Sequence, residues 1–265
     1  MNGTLPWKLV WVTGASTGIG REVALQLAAH GVVVAVSARS AEKLADMGPN
    51  IKPYPLDVTD VTAVQKTIAR IERELGPIDM ALMAAGAYAP VDVNAFSPEP
   101  FAKMIEVNFL GVVNCIAGLL PAMRPRKRGR IAWIASVAGY RGLPKAAGYG
   151  PSKAALINLA ESIAPELAAQ GIDVSVVNPG FVATPMTSKN DFPMPFLMSP
   201  QDAARRTIEG LAAGKFEVAY PTRFVVILKI ARLLPYSLYF WLIKRGVLSK
   251  DTSFVSRVTR WWNAF

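Results

Sequence analysis

Short, continuous apolar runs alternate along the chain with segments whose apolar positions recur every three to four residues. Lys8–Thr13, Val32–Ala38, Ile51–Leu56, Asp79–Ala84, Ile131–Ser136 and Asp173–Asn178 are of the first kind and predict strands. Gly20–His30 is of the second kind, with Val23, Ala24, Leu27 and Ala28 on one side, and a further helix is predicted over Val61–Leu75. Runs such as Val32–Val36 lack the in-out alternation of a half-exposed strand, so the sheet should be covered on both faces. Strands alternating with helices predict βαβ units. The expected fold is therefore α/β, a doubly wound parallel sheet, and it carries a helical extension at its C-terminal end.

Two regions break the pattern. Residues 185–200 mix Pro185, Pro193, Pro195 and Pro200 with Met186, Phe192, Met194, Phe196, Leu197 and Met198. Prolines at this density resist regular structure. The stretch is either an irregular loop packed on the core or, the reading its position favours, an apolar lid over a substrate pocket. The second region starts at Pro221, which divides the chain into a catalytic unit, 1–220, and an extension, 221–265.

Composition narrows the function classes. The 265 residues suit one α/β domain with an appendage, and 52% hydrophobic content supplies a large core. Cys115 is the only cysteine and His30 the only histidine, which excludes an intrachain disulfide, a thiolate metal site and a multi-histidine site. Trp7–Val12 is apolar but runs straight into glycine-rich sequence with no small-residue cleavage site, so it reads as a first buried strand and not a secretory leader. The net charge is +10, and its placement matters more than its size. Beyond position 220, eight Lys and Arg face Asp251 alone, a net +7, leaving +3 for the rest. Such a tail suits a polyanion, either nucleic acid or an anionic membrane surface. The expected partner is the membrane and no nucleic acid. Phe224–Ile243 is apolar but interrupted by Lys229, Arg232 and Pro235, which favours an amphipathic helix on the membrane surface over a span. Trp241, Trp261 and Trp262 suit the headgroup level. Packing of the tail on the catalytic unit, or on a second subunit, is the competing reading. The expected location is cytoplasmic, peripheral on the inner face of a membrane.

The first strand enters Thr13-Gly14-Ala15-Ser16-Thr17-Gly18-Ile19-Gly20 and then a helix. Glycines permit a tight turn and close backbone approach to a pyrophosphate, and the helix N-terminus offers free N–H groups to it. Further on, Ser136 ends a strand, and Tyr149-Gly150-Pro151-Ser152-Lys153 follows. Positions i and i+4 share a helix face, so Tyr149 and Lys153 reach one site, and Pro151 requires that this be a first turn. A tyrosine hydroxyl can give a proton to a carbonyl oxygen, a neighbouring ammonium would lower its ordinary pKa of about 10, and a serine can donate to the same oxygen.

The Thr-Gly-x-x-x-Gly-x-Gly spacing, with Ser136, Tyr149 and Lys153 in order, resembles the short-chain dehydrogenase/reductase family from the glycine turn to about Thr184. The resemblance implies a Rossmann-like fold and interconversion of a carbonyl and an alcohol; the substrate is expected to be an apolar or lipid-like small molecule. It assigns Ser136, Tyr149, Lys153 and Asn108 to catalysis, Asn108 supporting the lysine through a water. Gly14, Ser16, Thr17, Gly18, Ile19, Gly20, Ala85, Gly86, Pro179, Gly180, Val182 and Thr184 would hold the cofactor, together with Tyr149 and Lys153. Ala38 stands where an acid would hydrogen-bond the ribose of NAD, and Arg39 follows it. With Ser37, Arg39 points to the 2′-phosphate of NADP, with NAD the lesser candidate, unless Arg39 is only a solvated surface residue. Asp57 and Val58 match the family's adenine-contacting pair, though Asp57 is equally placed to cap a helix. Two departures stand out. Met83-Ala84-Ala85-Gly86 lacks the family's two asparagines, which weakens the local brace of the sheet. Pro165 predicts a kink in the helix that often packs against its counterpart in a homodimer. The rival readings are a non-catalytic nucleotide-binding regulator and a membrane-recruited scaffold on the same fold.

Overall fold

The computed structural model describes residues 4–190 and 192–246. All six expected runs form strands: β1 Leu9–Thr13, β2 Val33–Ser37, β3 Ile51–Pro53, β4 Met80–Met83, β5 Gly129–Ile134 and β6 Ile172–Pro179. A seventh, β7 Glu217–Tyr220, was too short to show a period. The sheet has the order β3-β2-β1-β4-β5-β6-β7 with every pair parallel. β1 is buried throughout, as its continuous apolar run requires. Strand order reverses between β1 and β4, and Thr13 pairs with both Ser37 and Met83, so the strand ends lie level there. A crevice at such a switch point is where open α/β sheets bind ligands.

Helices cover both faces. On one, α1 Gly18–Ala29 and α6 Pro200–Ala212 place Val23, Leu27, Ala204 and Ile208 over Val10, Val12 and Val34. On the other, α2 Val61–Leu75, α4 Gly111–Arg126 and α5 Tyr149–Ala168 place Ile68, Leu119 and Leu156 over Trp11, Met83 and Trp133. Asp60 caps α2, its carboxylate accepting from Ala63 N at 2.9 Å. α5 begins at Tyr149, which puts Pro151 in the first turn, and it continues through Pro165 to Ala168. α3 Glu99–Ile105 joins α4 through a wide turn over Glu106–Leu110 that interrupts the regular hydrogen-bond ladder. The combined rod, 99–126, is long and apolar enough to cross a membrane, yet Met104, Cys115, Leu119 and Met123 are buried, and the last three belong to the core over the sheet.

The extension folds as α7 Thr222–Leu233 and α8 Tyr236–Gly246, parted at Pro235. That break removes the reading of 224–243 as one span. Phe224, Val225 and Leu228 of α7 belong to the same core as α4 and α5. Glu217 fastens this end, accepting from Tyr140 at 2.5 Å and Asn178 at 2.8 Å and pairing with Lys229. Each buried side chain of this size contributes roughly 1.5–3 kcal/mol. α7 is thus a structural part of the catalytic unit, and the boundary at Tyr220 does not separate two cores. Trp261 and Trp262 lie outside the described residues.

Candidate active site

The glycine turn is fixed by contact and by backbone conformation. Gly14 has φ +68°, and a Cβ there would sit 2.5 Å from the backbone of Ala84 and Ala85. A Cβ at Gly20 would meet Gly14 O at 2.6 Å. Gly18, at φ +59°, would reach the Thr184 side chain at 3.0 Å, so the first and sixth strands' loops converge. α1 starts at Gly18, two residues earlier than its apolar pattern suggests, because the apolar stripe begins only at Gly20. Its cap residue, Thr17, makes no side-chain cap, and the first turn holds no acid. Ser16 and Ile19 flank these positions in the same turn.

Ser37 and Arg39 part company. The Ser37 side chain is fully buried and accepts from Trp11 Nε1 at 2.9 Å, so it is not at the cleft surface. Arg39 is exposed. Burial alone would raise the Asp57 carboxyl; bonds from Thr59 N at 3.0 Å and Thr59 Oγ1 at 2.8 Å, with the charges of Arg39 and Lys103, hold it below its ordinary value. Asp57 therefore closes a side-chain turn of its own, while Asp60 is the helix cap. Val58 is buried, and its carbonyl accepts from Asn114 Nδ2 at 3.0 Å.

The missing asparagines after β4 are replaced by a bond from Ala85 N to Thr13 Oγ1 at 3.4 Å and by Asn108. Asn108 sits in the wide turn, fully buried, accepting from Ala87 N at 2.7 Å and donating to Ala87 O at 3.0 Å. Its amide also donates to Ser152 Oγ at 2.9 Å, and Ser152 donates to Tyr149 O at 2.7 Å. Ser152 went unnoticed in the sequence; its place three residues after Tyr149 was the available signal. The side-chain amide of Asn108 thus braces the Gly86–Ala87 segment and the start of α5.

Ser136 follows β5 and both caps and faces the cleft. Its hydroxyl accepts from Ala138 N at 3.1 Å and donates to Pro179 O at 3.4 Å, and Ser136 lines the same pocket as Tyr149. Tyr149 also packs edge-on against Tyr88, ring centroids 5.6 Å apart. Lys153 is buried, donates to Ile134 O at 2.8 Å and lies 5.5 Å from the Tyr149 ring centre. A Cβ on Gly86 would lie in ordinary contact with Asn108 Oδ1 at 3.5 Å and Lys153 Nζ at 3.9 Å, which places this glycine beside both side chains.

The expected electrostatics need correction. Burial pushes the Tyr149 hydroxyl up to about 12, and only the neighbouring Ser136 works against it. Burial also drives Lys153 down to about 7. With both groups taken out of water, burial works against the charged form of each.

Tyr149 and Ser136 open onto a pocket of about 130 Å³. Its apolar walls come from Leu143, Pro144, Phe181, Met186, Phe192 and Phe224. Of the proline-rich stretch, Met186, Thr187, Asn190 and Phe192 line it; Met198 bridges to Val182, Ala183 N bonds Met198 O at 2.9 Å, and Phe181 stacks on Phe224 at 5.7 Å. Gly180 is required there, since a Cβ would strike Phe224 at 2.9 Å and Pro221 at 3.0 Å. Pro179 ends β6, and Thr187, also missed in the sequence, holds the following loop by donating to Val182 O at 2.6 Å and accepting from Thr184 N at 3.0 Å. No group of three or more His, Cys, Asp or Glu suited to a metal occurs among the described residues.

The family model for short chain dehydrogenases matches residues 8–193. An uncharacterized oxidoreductase of Myxococcus xanthus is 34% identical over 242 residues, 89% of this chain and 96% of that one. A 3-oxoacyl-acyl-carrier-protein reductase of Escherichia coli is 38% identical over 184 residues, 68% of this chain and 75% of the relative. A short chain dehydrogenase from Burkholderia cenocepacia, solved in complex with NADP, superposes with a TM-score of 0.79 at 26% identity, covering 89% of this chain and 98% of that one.

Proposed function

The chain belongs to the short-chain dehydrogenase family and is an oxidoreductase, and from that premise we propose that it is an NADP(H)-dependent reductase of apolar, lipid-like carbonyl compounds. The observation that carries this reading is that the hydroxyl-bearing side chains Ser136 and Tyr149 line one apolar pocket, with Lys153 buried beside the tyrosine. The residues fit a dinucleotide: the tight turn at Gly14, Gly18 and Gly20 has no space for a Cβ and so presents bare backbone at the start of α1, whose first turn has no side-chain cap. Arg39 would take the 2′-phosphate, Asp57 and Val58 the adenine side, and Ala85, Gly86, Pro179, Gly180, Val182 and Thr184 the nicotinamide side.

When bound, the nicotinamide supplies the hydride for the carbonyl carbon. Tyr149 gives the proton to the carbonyl oxygen, and its raised pKa keeps it protonated across the physiological range. Ser136 turns its hydroxyl from the long bond to Pro179 O toward the same oxygen as charge develops. Lys153 holds the tyrosine side of the site, and Asn108 positions it through Ser152. A homodimer through α4 and α5 is part of this reading, supported by an apolar groove lined by Val113, Ile116, Leu120, Leu159 and Ile163. So is a cytoplasmic enzyme whose extension meets a membrane surface.

The test is a kinetic series with NADPH and ketones of increasing chain length. Each buried methylene is worth about 0.8 kcal/mol, so kcat/KM should rise about fourfold per carbon until the pocket is full. Absence of NADPH oxidation with every ketone would remove the activity, and rates indifferent to length would remove the apolar substrate.

The protonation state of Lys153 gives a second expectation. Its folded pKa of about 7 means that it carries charge below that pH and loses it above. The kcat/KM for NADPH reports groups of the free enzyme, so it should be level in mild acid and fall about tenfold per unit above pH ~7. A profile flat to about pH 9 would show that the lysine's charge is not used in capturing the cofactor.

A further inference from the structure

Thirteen large apolar side chains lie exposed among the described residues, and seven of them fall between 226 and 241. On α7 these are Val226, Ile230 and Leu233, spaced i, i+4 and i+7, so they form one stripe. The stripe is opposite the buried Phe224, Val225 and Leu228, and Leu233 is 84% exposed. On α8 the exposed set is Tyr236, Leu238, Phe240 and Trp241, with exposed Lys244 and Arg245 beside them and the Arg245 guanidinium 4.5 Å over the Trp241 ring. Residues 221–246 contain no acid at all against Arg223, Lys229, Arg232, Lys244 and Arg245. Apolar and aromatic side chains interleaved with cations on short helices match an anionic lipid surface, which neutralises the cations and takes up the apolar groups. A second copy of the chain would bring a like charge to meet this one. Twelve and eleven residues give lengths of about 18 and 17 Å, well short of the ~30 Å hydrocarbon core.

The same helices are tied to the pocket. Arg141 donates to the carbonyls of Ala231, Arg232 and Leu234 at 2.7, 2.8 and 2.8 Å, closing the end of α7, and its guanidinium stacks over Tyr239 at 4.1 Å. Tyr239 in turn donates to Gly142 O. The next residues, Leu143, Pro144 and Lys145, line the pocket, as does Phe224 at the start of α7. One short segment therefore has the extension at one end and the pocket wall at the other.

We propose that the outward faces of α7 and α8 dock on an anionic bilayer surface and that this holds the pocket beside the lipid from which an apolar substrate enters. The delivery half rests on the pocket being the carbonyl site; the docking half does not. Cutting the chain at Tyr220 is not a clean test, because it strips Phe224, Val225 and Leu228 from the core. The informative variant is Ile230→Glu, Leu233→Glu and Trp241→Glu together, all at exposed helix positions outside the catalytic machinery. The full-length chain should sediment with phosphatidylglycerol/phosphatidylcholine vesicles and at least tenfold more weakly with phosphatidylcholine alone. Salt should weaken the first binding without abolishing it. The triple variant should stay in the supernatant, reduce a short water-soluble ketone at the wild-type rate, and lose at least tenfold on a long-chain ketone presented in the vesicles.

Failure of the full-length chain to bind anionic vesicles overturns the proposal, as does binding by the triple variant equal to wild type. An oligomer in lipid-free solution that the triple substitution dissociates, with no vesicle binding, would assign the face to a second copy of the chain instead. Equal loss on the soluble ketone would show damage to the fold, and the paired Lys244→Glu and Arg245→Glu variant, which leaves every apolar contact in place, then decides: unchanged vesicle binding overturns the proposal. If neither protein reduces any ketone while vesicle binding follows the expected pattern, the carbonyl reading and the delivery half fall together, and the docking face stands.

Discussion

Tyr149→Phe lowers kcat for carbonyl reduction by at least about 100-fold while leaving NADPH binding within a fewfold of wild type. A positioned proton donor typically contributes ~10²–10⁴-fold, and phenylalanine removes the donor with no change in ring size. The ring contact with Tyr88 and the helix start at Tyr149 survive the change. Ser136 keeps Ala138 N and Pro179 O as partners, so the cleft retains its second hydroxyl. The loss of one hydrogen bond costs about 1 kcal/mol of stability, too little to unfold a domain of this size. Stopped-flow reduction with a saturating ketone, beside fluorescence titration with NADPH, separates chemistry from binding. Turnover above about a tenth of wild type would remove Tyr149 as the proton donor and shift attention to a water held by Ser136.

Arg39→Asp lowers the ratio of kcat/KM for NADPH over NADH by at least about 100-fold. A hydrogen bond to a charged group is worth about 1.5–3 kcal/mol, and the substitution adds repulsion between the new carboxylate and a 2′-phosphate to that loss. The setting supports a binding role for this arginine: it is exposed, lies just beyond the end of β2 next to Ala38, and its charge is felt by the Asp57 carboxyl. Two consequences separate this role from a general surface effect. The acidic variant should gain affinity for NADH, whose free ribose hydroxyls can donate to the new carboxylate. It should also remove one of the influences holding Asp57 low, so that the Asp57 carboxyl titrates higher. An unchanged cofactor ratio would leave Arg39 a solvated surface residue and move the phosphate question to the glycine turn.

The sequence determined the parts of this molecule that rest on local pattern. Continuous Val, Ile and Ala runs can be satisfied only by a sheet covered on both faces, so β1 to β6 were legible, as was the αβ alternation. Gly14, Gly18 and Gly20 announced their turn because no other residue tolerates those contacts and angles. The i, i+4 spacing of Tyr149 and Lys153, with a proline that belongs in a first turn, placed the start of α5 at Tyr149. Elements without a strong period were not legible. β7 has four residues, and α6 buries small side chains, Ala203, Ala204 and Thr207, among charged ones.

Tertiary structure decided what depends on neighbours distant in sequence. Ser37 was turned into the core by Trp11, a residue 26 positions away that no local rule connects to it. The absent asparagines after β4 were compensated by Thr13 and Asn108, which only the packing of α3 and α4 brings there. The ionisation of Lys153 and Tyr149 was set by burial, which no spacing encodes, and it reversed the shift expected for the tyrosine. The extension was split by the same cause. Its composition reads evenly as apolar and basic, but Glu217 and Arg141 hold one side of it on the catalytic unit and leave the other outside. Sequence specifies which residues are apolar; the partners that a fold brings into reach determine which of them remain exposed.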